Sequence, residues 1–134
     1  MLLDLFDEKM LDDLSSKALS SSRLRTNYDL RDTSEDQSQR MLNAVEPGSI
    51  LPIHRHLSSS ENVIVLRGSI TQEFYDEKGQ LQQSVYLSAT SLPRGMSVPI
   101  GQWHRLVSNE SGTVLFVVKN GPYMPLSEEE IMSI

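Results

Sequence analysis

The chain has 134 residues, enough for one hydrophobic core, and its 38% hydrophobic and 22% charged content is that of an ordinary globular protein. A formal net charge of -6 removes the basic footprint of a nucleic-acid binder, and the lack of cysteine excludes disulfides, thiolate metal sites and cysteine nucleophiles. No apolar run approaches the roughly 20 residues of a membrane span, and the N-terminus lacks the basic and long apolar regions of a secretion signal, so the expectation is a cytoplasmic protein with no membrane partner.

In chain order, residues 3 to 19 read as one amphipathic helix. Leu3, Phe6, Met10, Leu11, Leu14 and Ala18 recur at three- and four-residue spacing, and Asp4, Asp7 and Glu8 suit the positive end of the helix dipole. Residues 20 to 38 are rich in Ser, Asp, Arg and Gln. They predict a long ordered loop with a short strand near Asn27–Leu30, in which Arg23, Arg25 and Arg31 serve as solvated, salt-bridged charges. The expected organisation is one domain, with residues 1–38 packed as helix and Arg-rich loop on a barrel formed by residues 39–134.

From Gln39 the pattern changes to strands and turns. Met41, Asn43 and Val45 alternate with Leu42 and Ala44, and Pro47-Gly48 is a turn. Strands are predicted at Leu51–Leu57, Asn62–Arg67, Ile70–Tyr75, Leu81–Leu87, Met96–Ile100, Trp103–Val107 and Thr113–Lys119, with a hairpin turn at residues 76–79. Short strands at this spacing argue for a mainly all-β sandwich or barrel. Ser127 with Glu130 three residues on is a capping box, which predicts a short C-terminal helix.

The chain has three histidines, two of them in His54-Arg55-His56. On an extended chain, residues i and i+2 share a face, so both imidazoles can reach one point. Glu61 follows after a turn-like serine run, and His104 lies on a distant strand; either can meet the same point. Three imidazoles and a carboxylate suit one divalent ion such as zinc, iron, manganese or nickel, with positions left for a ligand. A buried histidine is also a common core residue, and spacing alone leaves both readings open.

Gly48, His54, His56, Glu61 and Gly68, separated by five, one, four and six residues, resemble the first motif of the cupins at every position. The Pro-x-Gly-x-x-His core of the second motif is present as Pro99 to His104. Its edges depart: Gly95 is nearer than usual, and Asn109 is one residue late. The resemblance implies a double-stranded β-helix, or jelly-roll barrel, binding metal through His54, His56, Glu61 and His104. Gln39 to Leu42, Pro52 to His56 and Val118 to Tyr123 are similar to WbuC-type cupins, a group associated with bacterial surface-polysaccharide gene clusters. That implies a small sugar-derived or anionic ligand.

Arg40, Lys119 and Tyr123 are the candidate ligand-binding residues from those flanks. Asn43 and Tyr86 are candidates to line the cavity, and Gln102 shares the His104 face and is expected to support it. Three functions remain open: a metal-dependent enzyme of the sugar isomerase or epimerase type, an iron-dependent oxygen-using cupin, and a non-catalytic ligand-sensing domain. A homodimer is compatible with each.

Overall fold

The computed structural model describes residues 3–133. Helix α1 (Glu8–Ser20) is followed by eight strands: β1 (Arg25–Asp29), β2 (Ser38–Val45), β3 (Glu61–Arg67), β4 (Ser69–Tyr75), β5 (Leu81–Ser88), β6 (Gly95–Val98), β7 (Trp103–Ser108) and β8 (Val114–Asn120). They form a five-stranded sheet in the order β1-β2-β8-β3-β6 and a three-stranded sheet in the order β5-β4-β7, and every pairing is antiparallel. Among the described residues no helix is long and apolar enough to cross a membrane.

The alternation of β2 and β8 makes the five-stranded sheet two-sided. Leu42, Ala44 and Val114 face outward and are covered by Leu11, Leu14 and Ala18 of α1. Their neighbours Leu115 and Val117 face inward and pack with Val63, Val65, Ile70 and Leu87 from both sheets. Two neighbours in sequence, Val114 and Leu115, thus fill two different cores, and both are fully buried.

Helix α1 starts later than the apolar period predicts. Asp7 adopts extended backbone and its carboxylate accepts the Met10 amide at 3.0 Å, so the helix begins at Glu8. Leu3, Leu5 and Phe6 lie before the cap and are exposed. The first strand, Arg25–Asp29, sits two residues earlier than expected, and Arg25 donates to Ser49 Oγ and the Ile50 carbonyl rather than standing in solvent.

The larger correction concerns Leu51–Leu57, which is extended but is not a ladder strand. Only His54 makes bridges, to His104 and to Ile131. Pro52 has no amide to donate, and the neighbouring strands already have partners. The segment is held from the other side by the C-terminus. Arg55 N donates to the Glu130 carbonyl at 2.9 Å, and Met132 N donates to the Ile53 carbonyl at 2.9 Å. The predicted C-terminal helix is one short 3-10 turn at Glu128–Glu130. The Glu130 carboxylate accepts the amide and hydroxyl of Ser127 and, on its other oxygen, the Leu57 amide at 3.0 Å. Residues 127–132 are therefore a strap across the segment that carries His54 and His56.

Candidate metal centre

His54 and His104 are fixed to each other by backbone hydrogen bonds in both directions, 3.0 and 2.8 Å long. His56 follows two residues after His54, on the same face. The ring centroids lie 4.4 Å apart for His54 and His104, 5.1 Å for His54 and His56, and 5.7 Å for His56 and His104. One ring nitrogen from each lies within 4.8 Å of the others, so the triad is placed to hold a metal ion.

Two of the rings are aimed by main-chain carbonyls. His54 Nδ1 lies 3.0 Å from the Pro52 carbonyl, and His104 Nδ1 lies 2.8 Å from the Gln102 carbonyl. A carbonyl can only accept, so each Nδ1 carries the proton and each Nε2 keeps a free lone pair. The Nε2 atoms of His56 and His104 are buried with no hydrogen-bond partner among the described residues. Buried polar atoms left without partners are uncommon, and two imidazole nitrogens converging in this way fit the donor set of a divalent ion.

Glu61, the first residue of β3, stands at the edge of the triad. Its carboxylate lies 3.2 Å from His56 Nε2 and 4.0 Å from His104 Nε2. Lys119 of β8, opposite Glu61 in the ladder, brings its ammonium within 3.7 Å. Burial pushes the Glu61 carboxyl up, but contact with His56 and the Lys119 charge outweigh it and hold it down at about 2. Burial, then the neighbouring His104, pushes the His54 imidazole down to about 4. Burial lowers His104 as well. The site therefore keeps the Glu61 carboxylate together with neutral imidazoles at His54 and His104, the protonation states that coordinate metal.

These side chains open into a cavity of about 760 Å³. Asn43, Lys119 and Tyr123 line it, as do Gln39, Ser59 and Glu130. Arg40 does not. It points to the opposite face of β2, where its guanidinium pairs with Asp36 at 3.0 Å and Asp32 at 3.8 Å. Strand alternation gives the cavity face to Gln39, Met41 and Asn43. Tyr86 lies on the exposed face of β5, 53% accessible and away from the cavity. Gln102 supports His104 through its main chain, while its side-chain amide donates to the Tyr75 and Trp103 carbonyls. Trp103 faces away from the triad and is buried, under the guanidinium of Arg55 at 4.3 Å.

Sequence reasoning did not find Gln39, Asn27 or Glu130 at the cavity. Gln39 was within reach, since it shares a strand face with Asn43; Asn27 and Glu130 arrive through tertiary contacts that leave no local pattern.

Residues 6–87 match the family described as a domain of unknown function (DUF6016). A germin-like protein of Morus alba is 31% identical over 77 residues, 57% of this chain and 35% of that protein. The chain thus spans about a third of the length of the curated relative it matches. The capsular polysaccharide assembling protein CapF of Staphylococcus aureus superposes with a TM-score of 0.61 at 20% identity, over 74% of this chain and 27% of that one. Oxalate decarboxylase of Bacillus subtilis, a protein with Mn(II) centres, gives a TM-score of 0.58 at 19% identity, over 82% of this chain and 28% of that one. At these identities the two structures speak for the barrel fold alone.

Proposed function

We propose, on the premise that the chain belongs to the DUF6016 family and folds as a cupin barrel, that it is a metal-dependent protein of the WbuC type acting on a small sugar-derived or anionic molecule in bacterial surface-polysaccharide metabolism. The observation that carries this reading is the triad: three imidazoles with nitrogens within 4.8 Å of one another, two of them aimed by carbonyls, at the wall of a polar cavity. The polysaccharide context is carried over from the WbuC-like flanks of the sequence, and the metal from the converging nitrogens of the triad.

His54, His56, Glu61 and His104 are the ligand set in this reading. A bound divalent ion would act as a Lewis acid toward an oxygen of the ligand, which suits an isomerase or epimerase reaction. The protein's own contribution is positional. The carbonyls of Pro52 and Gln102 fix the tautomers of His54 and His104. Lys119 supplies a charge-assisted donor to an anionic group entering beside Glu61. Asn43 and Gln39 offer carboxamides that can pair with hydroxyls. A cavity of this size falls in the range that holds one small molecule.

The test begins with elemental analysis of protein purified without added metal, expected to give about one divalent ion per chain. A thermal-shift screen of sugar acids, sugar phosphates and nucleotide-sugars should then give hits that vanish on chelation. Full metal occupancy in His54→Ala/His56→Ala, or hits indifferent to chelation, would sink the assignment.

A further inference from the structure

The main cavity continues into a side compartment of about 160 Å³, walled by Asn27, Asp29, Arg31, Gln39, Met41 and Tyr123. Asn27, Gln39, Met41 and Tyr123 line both spaces, so one molecule can occupy the two at once. We propose that this compartment is the subsite for an uncharged, hydroxylated ring, and that the ligand is a sugar acid or a conjugate of one. Its anionic group faces the imidazoles and Lys119, and its ring faces Asp29, Arg31 and Tyr123. The inference rests on the metal-site reading above and adds to it the class of ligand.

Charge decides between a polyol and a second anion. Arg31 is the cation of the compartment wall, but its guanidinium is already spent on Asp29. Nε and Nη2 both donate to the carboxylate, at 3.0 and 2.7 Å. A phosphate or carboxylate arriving there would meet the Asp29 anion as closely as the Arg31 cation. A hydroxyl meets no such penalty, because it can donate to Asp29 and accept from Arg31 in the same place. The pair is also held rigid: Asp29 accepts the Arg31 main-chain amide at 3.0 Å as well. A preorganised acceptor loses little freedom when a ligand binds.

The remaining wall has matching chemistry. Gln39 donates its side-chain amide to the Pro122 carbonyl at 3.2 Å, which leaves its own oxygen as an acceptor. Asn27 adds another carboxamide. Tyr123 adds an aromatic face, steadied by the Arg31 guanidinium 5.8 Å from the ring centre, and Met41 an apolar edge. Paired donors and acceptors beside an aromatic ring complement a pyranose, whose hydroxyls project outward and whose C–H bonds form apolar patches.

The experiment is calorimetric titration of the metal-loaded protein with glycolate, galacturonate and lactobionate, a sugar acid that carries its one carboxylate apart from an uncharged galactose ring. Glycolate has the anionic group and no ring. At least one ring-bearing acid should bind about tenfold or more tightly than glycolate, the equivalent of one or two added hydrogen bonds. In Asp29→Asn the preference should fall to within about threefold, with glycolate affinity and metal content unchanged, and in Tyr123→Ala the preference should fall likewise with metal content unchanged. Ring-bearing acids that bind no better than glycolate overturn the subsite and leave the metal site standing. So does a preference that survives both substitutions. If no acid binds in a metal-dependent way, the metal-site reading fails and takes this one with it.

Discussion

The imidazoles of His54 and His104 take their aim from main-chain carbonyls, so the residues that supply those carbonyls are replaceable in a way the histidines are not. Gln102→Ala keeps the carbonyl that orients His104 and loses only the side-chain donations to Tyr75 and Trp103. It should cost about 1 kcal/mol of stability and leave metal affinity nearly unchanged, readable by denaturation and metal titration. Lys119→Met should behave in the opposite way. It removes the cation beside Glu61, so anionic ligands should bind about tenfold or more weakly while metal stoichiometry is retained. Acid will act on the triad itself. His54 stays neutral in the folded, metal-free protein down to about 4. A histidine in the unfolded chain takes up its proton near pH ~6.5. The unfolded state therefore binds more protons between those values, and stability present above pH ~6.5 is lost as the pH falls toward 4. The denaturation midpoint of metal-free protein should drop through this window, and a flat midpoint would contradict a buried, neutral His54.

At the level of elements, two glycines at turns separate backbone conformation from crowding. Gly68, between β3 and β4, has φ +83°, and a Cβ there would clash with Thr113 Oγ1 and lie 2.8 Å from the Thr113 Cα. Gly101, in the turn before β7, has φ +79° and open space around it. Gly101→Ala should cost only the left-handed conformation, about 1–2 kcal/mol, whereas Gly68→Ala adds a clash with the main chain and should cost roughly 2–4 kcal/mol. The strap is the other element with a measurable role. Glu130→Ala removes the acceptor for Ser127 and Leu57 and loosens the segment behind His56. Metal affinity should fall about tenfold while the melting transition of the metal-free barrel moves little, since outer supports of a metal site commonly have effects of this size.

Much of this arrangement was legible from alternation. Val63 and Val65 are buried and Ile64 is exposed, as the strand period requires. The same period places Arg40 opposite Asn43, so the sequence itself argued against Arg40 as a cavity residue; the resemblance in its flank pointed the other way. The shared face of His54 and His56 was also legible, because it needs only an extended chain. Its pairing was not: the partners of the Leu51–Leu57 segment lie 50 and more residues downstream, at His104 and Ile131.

At the scale of the molecule, the apolar periods indicated one helix and a set of short strands in a sandwich or barrel, and the motif resemblance pointed to the barrel, while the side compartment left no trace in either. Its walls come from β1, the loop after it, β2 and the segment after β8, and a polar loop sequence does not announce which of its charges will neutralise each other. The strap makes one further link between distant parts. Residues 127–132 hold the stretch that carries two of the three imidazoles, so filling the centre and docking the C-terminus belong to one equilibrium. By reciprocity, if a docked C-terminus tightens the centre, a filled centre holds the C-terminus down by the same factor. Amide hydrogen exchange reads that coupling from afar. The amides of Arg55, Leu57 and Met132, all bonded between the strap and the segment it crosses, should exchange more slowly when the ion is bound and faster when a chelator removes it, while those of β4 keep their rates. The tail of the chain would then be a gauge of what its centre holds.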